Sequence, residues 1–164
     1  MTPVYVAIGG NIDPDMRLPQ AVRELRRRFP DARFSSCYRN PAFGFEGADF
    51  YNAVAGFHTA LPVEALIGQL QEIEALCGRD RTEAKWAPRA MDLDLLLYGE
   101  LRSRTARYEL PRPDLLRRTY MLGPLAELVP QLRHPLTGRS MADHWQELSA
   151  QPYQHERLAL DLNA

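Results

Sequence analysis

The order in which extended and helical segments alternate leaves very few folds open to this chain. Val4-Tyr5-Val6-Ala7-Ile8 is a compact apolar strand that ends at Gly9-Gly10-Asn11. Residues 16–28 read as a helix, with Leu18, Val22, Leu25 and Phe29 at helical spacing and Pro19 tolerable only in its first turn. The run Arg26-Arg27-Arg28 at its end reads as a solvated face favoured by the helix dipole. Residues 33–39 form a second strand, 41–48 a glycine-bearing loop, and 50–59 a third strand. The clearest helix spans 62–77, with Pro62 in its first turn, Leu66, Leu70 and Ile73 on one face, and Gly78 as its stop. A charged loop over 79–90 leads into a fourth strand over 91–98.

That order, β-α-β-β-α-β, predicts an α/β (α+β) fold, the ferredoxin-like split arrangement. It is a sandwich in which helices pack over one face of a mainly antiparallel sheet. Beyond it come irregular segments around 101–110, a short helix near 118–128, a helix near 141–149, and a final dozen residues expected to fray. Residues 1–150 are expected to form a single domain and 151–164 a C-terminal tail.

With 164 residues, one domain can bury a core without disulfides or metals. Hydrophobic residues make up 45% and charged residues 25%, the balance of a soluble globular chain. No run of eighteen apolar residues and no charged-then-apolar leader is read, so neither a membrane span nor a secretory signal is expected and the location expected is cytoplasmic; separately, a monomer is expected. Cys37 and Cys77 stand apart without metal-ligand spacing and read as reduced thiols. A net charge of −1 argues against nucleic-acid binding by bulk electrostatics. The basic residues are nonetheless peculiar, nineteen Arg to one Lys. Arg79, Arg81, Arg89, Arg107, Arg112, Arg117 and Arg118 crowd around residues 92–94, and guanidinium forks suit phosphate oxygens.

The chemistry concentrates in Asp92-Leu93-Asp94 at the start of the fourth strand. Alternation puts both carboxylates on one face and Leu93, Leu95 and Leu97 on the other. Two bare carboxylates roughly 7 Å apart repel by about 2 kcal/mol at an effective dielectric of about 20. A hard divalent cation would turn that cost into binding, and Mg²⁺ is commonly held by one or two carboxylates plus substrate phosphates. The bland alternative is a wet edge with both acids screened and idle.

The stretch Lys85-Trp86-Ala87-Pro88-Arg89-Ala90-Met91-Asp92-Leu93-Asp94-Leu95-Leu96 resembles the signature of the 6-hydroxymethyl-7,8-dihydropterin pyrophosphokinase family, with Lys85, Ala87, Pro88, Arg89, both acids and the aliphatics all in place. The resemblance extends from Tyr5 to about Pro135. It implies transfer of pyrophosphate from ATP to the hydroxymethyl group of the reduced pterin, with AMP released, in folate biosynthesis. It also implies two Mg²⁺ ions at Asp92 and Asp94, and catalytic roles for those acids with Arg79 and Arg89. ATP would meet Glu74, Arg81, Trp86, Leu95, Arg107, Arg112 and Arg118. The bland reading of Glu74 is a plain helix-surface carboxylate. The pterin would meet Asn40, Pro41 and Phe43 on the loop, Asn52 at its amide edge, and Phe50 and Tyr120 on its two faces. Gly9 and Asn11 would scaffold the site. The substrates implied are ATP and 6-hydroxymethyl-7,8-dihydropterin, with neither nucleic acid nor membrane as partner.

Several residues depart from the family pattern. Arg112 stands where a histidine is usual, Pro113 where an aromatic is found in some members, Phe50 where many carry a phenol, Gly10 where a serine is common, and Glu109 where a neutral hydroxyl is more usual. Arg112 can still donate to phosphate but cannot titrate near neutrality. These departures motivate an alternative, a noncatalytic paralogue that binds pterin or nucleotide in a regulatory role.

Overall fold

The computed structural model of the protein describes residues 1–42, 47–78 and 90–164. Strand β1 (Thr2–Gly10) pairs antiparallel with β4 (Phe50–Thr59) on one side and with the edge strand β5 (Asp92–Tyr98) on the other. Two short strands, β2 (Arg33–Phe34) and β3 (Tyr38–Asn40), pair with the far side of β4. The expected second strand is therefore split at residues 35–37. Ser35 Oγ accepts from the Val54 N–H at 2.9 Å while Ser35 N donates to the Val54 carbonyl, a local exchange that interrupts the ladder.

Helix α1 (Pro14–Arg28) begins two residues earlier than the periodicity predicts, with Pro14 in its first turn. The Asp13 carbonyl, on a left-handed residue, accepts from Met16 and Arg17. Pro19 consequently falls inside the helix, where it supplies no N–H to the carbonyl four residues back. Helix α2 (Val63–Leu76) follows Pro62 and stops at Gly78, whose φ of 84° suits only a residue without a Cβ. Arg27 keeps the expected solvated face, pairing with Glu24 at 2.8 Å on its own helix, while its two neighbours clasp other segments. Arg26 donates to the carbonyls of Leu162 and Ala164, and Arg28 bridges to Gln69 at 2.6 Å and Glu72 at 2.5 Å on α2.

The helices do not lie over one face alone. Val4, Val6, Ile8, Ala55, Leu93 and Leu95 pack under α1 and α2. On the opposite face Tyr5, Ala7, Val54, Leu96 and Leu97 pack against α3 (Thr119–Leu128) and α4 (Met141–Leu148). Strands that are apolar on both sides need both sides covered, which explains the continuous apolar runs of β1 and β5. Leu97 sits on the second face, not beside Leu93 and Leu95, because the β1–β5 register shifts between Tyr5 and Val6. Such a bulge reverses the alternation locally.

Between β5 and α3 lie two short strands, β6 (Ser103–Arg104) and β7 (Glu109–Leu110), and a 3₁₀ turn. The C-terminal residues do not fray. A last strand, β8 (Glu156–Arg157), pairs with β3. Leu162 is buried in the first core, and the Asn163 side chain bonds both the N–H and the carbonyl of Phe34 at 3.0 and 2.9 Å. Cys37 and Cys77 are free, buried thiols, and burial pushes them up to about 12 and about 11.

Candidate active site

The acid pair sits where β5 runs beside the glycine end of β1, Asp92 opposite Gly9 and Asp94 opposite Ala7. Both side chains are half-buried, and they share a face as alternation requires. The close approach at this end explains the glycines. A Cβ on Gly9 would stand 2.7 Å from Asn52 Oδ1, and one on Gly10 would stand 2.2 Å from the Ala90 carbonyl oxygen. Asn11, buried, donates from Nδ2 to the Ala48 carbonyl at 2.9 Å and so ties the turn after β1 to the segment leading into β4. These contacts fix the backbone around Gly9 and Asn11 beside the acid pair.

Arg112 is held alongside the acids by its own backbone, its N–H donating to the Leu96 carbonyl at 3.0 Å. Its Nη1 lies 3.8 Å from Asp94 Oδ1, with both groups about one-third exposed. The guanidinium thus offsets the repulsion within the pair and presents an anion-binding group at its rim. A cleft of about 220 Å³ opens here, gathering Asp94, Leu95, Glu74, Arg107 and Arg112, five of the residues predicted to serve nucleotide or metal. Glu109 lines it too, with Arg104 Nε 3.7 Å from its carboxylate. Arg107 lies 3.8 Å from Glu64 at the exposed rim.

Glu74 is neither a surface carboxylate nor simply a ligand group. It is buried on α2, and its Oε2 accepts from the Leu93 N–H at 2.8 Å. Leu93 lies between the two acids, so this bond anchors the middle of the Asp-Leu-Asp segment to α2.

A second cleft, of about 360 Å³, gathers Asn40, Pro41 and Tyr120 from the predicted pterin set. Arg118, predicted with the nucleotide, lines this cleft rather than the first. Asn52 and Asn40 are buried neighbours on β4 and β3, and the Asn52 amide nitrogen donates to Asn40 Oδ1. Each side chain therefore orients the other. Phe50 pairs with Asn40 across the same two strands. Burial pushes the Tyr120 phenol above its ordinary range, so it stays neutral.

Phe43, Arg79, Arg81, Trp86 and Arg89 lie outside the described residues. Sequence reasoning missed the residues that close the second cleft, Thr119 and the segment carrying Gln151, Tyr153 and His155. The signal available was Trp145, Tyr153 and His155, an aromatic density unlike that of a solvated tail.

Among the described residues no cluster of three or more His, Cys, Asp or Glu side chains could enclose a metal. The Asp92–Asp94 pair offers only hard oxygen donors. Two carboxylates that leave positions open fit Mg²⁺ shared with phosphate oxygens, and not a transition metal caged by protein.

Residues 5–130 match the family model described as 7,8-dihydro-6-hydroxymethylpterin-pyrophosphokinase (HPPK). A Synechocystis protein named 2-amino-4-hydroxy-6-hydroxymethyldihydropteridine pyrophosphokinase is 37% identical over 139 residues, covering 83% of this chain and 71% of that protein. The Aquifex aeolicus protein of the same name is 30% identical over 155 residues, covering 93% and 96%. A crystal structure of HPPK-DHPS in complex with substrates superposes with a TM-score of 0.70 at 10% identity, which speaks for the fold. That alignment covers 89% of this chain and 43% of the longer one, so the chain spans less than half of that protein. Among the described residues no helix is long and apolar enough to cross a membrane.

Proposed function

This chain belongs to the 7,8-dihydro-6-hydroxymethylpterin-pyrophosphokinase family, and from that membership we propose how its residues divide the work. It is a pyrophosphokinase of folate biosynthesis that transfers pyrophosphate from ATP to 6-hydroxymethyl-7,8-dihydropterin, giving AMP and the pterin diphosphate. The pterin hydroxyl attacks the β-phosphorus of ATP, the bond from that phosphorus to the oxygen bridging to the α-phosphate breaks, and AMP departs with that oxygen.

The observation that carries the residue assignment is the half-buried Asp92–Asp94 pair beside Arg112, at a cleft that also holds Arg107. Asp92 and Asp94 would hold Mg²⁺, which when bound neutralises phosphate charge and clamps phosphoryl oxygens. Arg112 and Arg107 donate to the polyphosphate, and Leu95 and the α2 side chains give the cleft its apolar wall. Glu74 keeps the acids in register through Leu93. Asn40 and Asn52 present polar groups to the pterin edge, with Phe50 and Tyr120 against its faces; offset stacking adds about 0.5–1.5 kcal/mol beyond burial. The enzyme works as a cytoplasmic monomer.

Asp92→Asn and Asp94→Asn test the assignment. Each is expected to lower kcat by roughly two orders of magnitude, the scale on which one lost electrostatic contact to a transition state acts, while the fold persists. Near-wild-type turnover in both variants would remove the acids from the mechanism.

A further inference from the structure

The segment that follows α4 reaches both walls of the second cleft, and it lies beyond the 5–130 stretch matched by the family. One wall is β3. There β8 pairs Arg157 with Tyr38 and Glu156 with Arg39, the Arg39–Glu156 side chains lie 2.5 Å apart, and Leu158 N donates to the Cys37 carbonyl at 2.9 Å. The next residue of β3 is Asn40, whose side chain Asn52 holds. The other wall is the first turn of α3. His155 Nε2 lies 3.1 Å from Thr119 Oγ1, one residue before Tyr120.

The His155 ring is itself fixed. Tyr153 meets it edge-on at 5.0 Å between centroids, Trp145 lies parallel at 6.3 Å, and Tyr38 lies at 5.8 Å. Burial holds the imidazole below its ordinary value, so it is neutral at neutral pH and bonds the Thr119 hydroxyl without charge. Farther on, the chain is anchored separately, by Leu162 in the core and Asn163 on Phe34.

We infer that residues 151–157 are a strap that positions the pterin-binding groups, with His155 acting through Thr119 on Tyr120 while β8 holds Asn40 in place through β3. Without β8, the three residues of β3 would pair on one side only and fray at the end that carries Asn40. Without the imidazole, the first turn of α3 loses its tether and the Tyr120 ring its fixed angle. The strap therefore sets affinity for a flat, amide-edged bicyclic ring and leaves the phosphate grip at Asp94 and Arg112 untouched. This inference rests on the pterin reading above.

The test measures the affinity of 6-hydroxymethyl-7,8-dihydropterin by calorimetry, with Mg²⁺ and a nonhydrolysable ATP analogue present. Wild type, His155→Ala, His155→Gln and Asn163→Ala are compared, with thermal stability and the kcat and KM for each substrate. His155→Ala is expected to weaken pterin binding roughly 2- to 12-fold, the effect of one neutral hydrogen bond. Its ATP KM should be unchanged, and His155→Gln should recover most of the loss. Asn163→Ala, which loosens only the far anchor, should lower stability and leave pterin affinity alone. Wild-type affinity in His155→Ala would overturn the strap and leave the function standing, as would equal losses in His155→Ala and Asn163→Ala. A wild-type protein that binds no pterin would overturn the functional reading and the strap together.

Discussion

Glu74 offers the sharpest check on how the site is built, because one buried bond connects α2 to the middle of the acid pair. Its Oε2 accepts from the Leu93 N–H at 2.8 Å, and the side chain is only 6% exposed. Glu74→Ala deletes the acceptor and leaves the Leu93 N–H facing a void that water reaches poorly. An orphaned buried donor costs about 1–3 kcal/mol. At roughly 2–4 °C per kcal/mol for a chain of this size, the melting temperature should fall by roughly 2–12 °C. Glu74→Gln keeps an oxygen in place and should lose less than half as much. Because the bond lands between Asp92 and Asp94, Glu74→Ala should also lower kcat, while Glu74→Gln keeps most of it. Thermal and urea denaturation at neutral pH, with steady-state kinetics on the same samples, decide the matter. An alanine variant as stable as wild type would refute the anchoring role, and so would a glutamine variant as weak as the alanine one.

Two glycines should respond in opposite directions. Gly10→Ala drives a Cβ toward the Ala90 carbonyl and should cost about 1–3 kcal/mol, with turnover falling as Asp92 is pushed aside. Gly68→Ala, in α2 with nothing within 4 Å of the new Cβ, should stabilise by about 0.5–1 kcal/mol; the same sign for both in denaturation would sink the packing argument. Mild acid should also weaken the fold. His134, His144 and His155 all titrate below their ordinary value, each first because of burial, His134 also through His144 and His144 through Arg139. The unfolded chain then takes up protons first, so stability is full above about pH 6.5 and declines as pH falls toward the folded-state values. Melting temperatures that stay flat from pH 7.5 to 5.5 would contradict this.

Much of the fold was legible because local signals and tertiary demands agree. Phe50–Thr59 carries an uninterrupted strand pattern, and α2 carries its proline start and its glycine stop. What escaped depends on contacts distant in sequence. The double-sided burial of β1 becomes plain only when α3 and α4 are seen to cover Tyr5 and Ala7. The bulge that moves Leu97 to the other face depends on how β5 pairs with β1, and no feature within β5 announces it. The C-terminal residues are polar enough to read as a tail, yet Arg26 and Phe34, more than a hundred residues earlier, hold them.

The site divides the same way. Spacing alone put Asp92 and Asp94 on one face. Arg112 reaches Asp94 only because its backbone rides on Leu96, and Glu74 has a structural task that its helix position hides. Arg112 brings a guanidinium beside the acids, a fork that suits phosphate oxygens.

The measurement that bears most directly on this account is nucleotide product analysis with ATP, Mg²⁺ and 6-hydroxymethyl-7,8-dihydropterin. AMP and pterin diphosphate in equal amounts are predicted, and would show that Arg112 suffices at its position. ADP as the product, or bound pterin with no nucleotide turnover, would contradict the account.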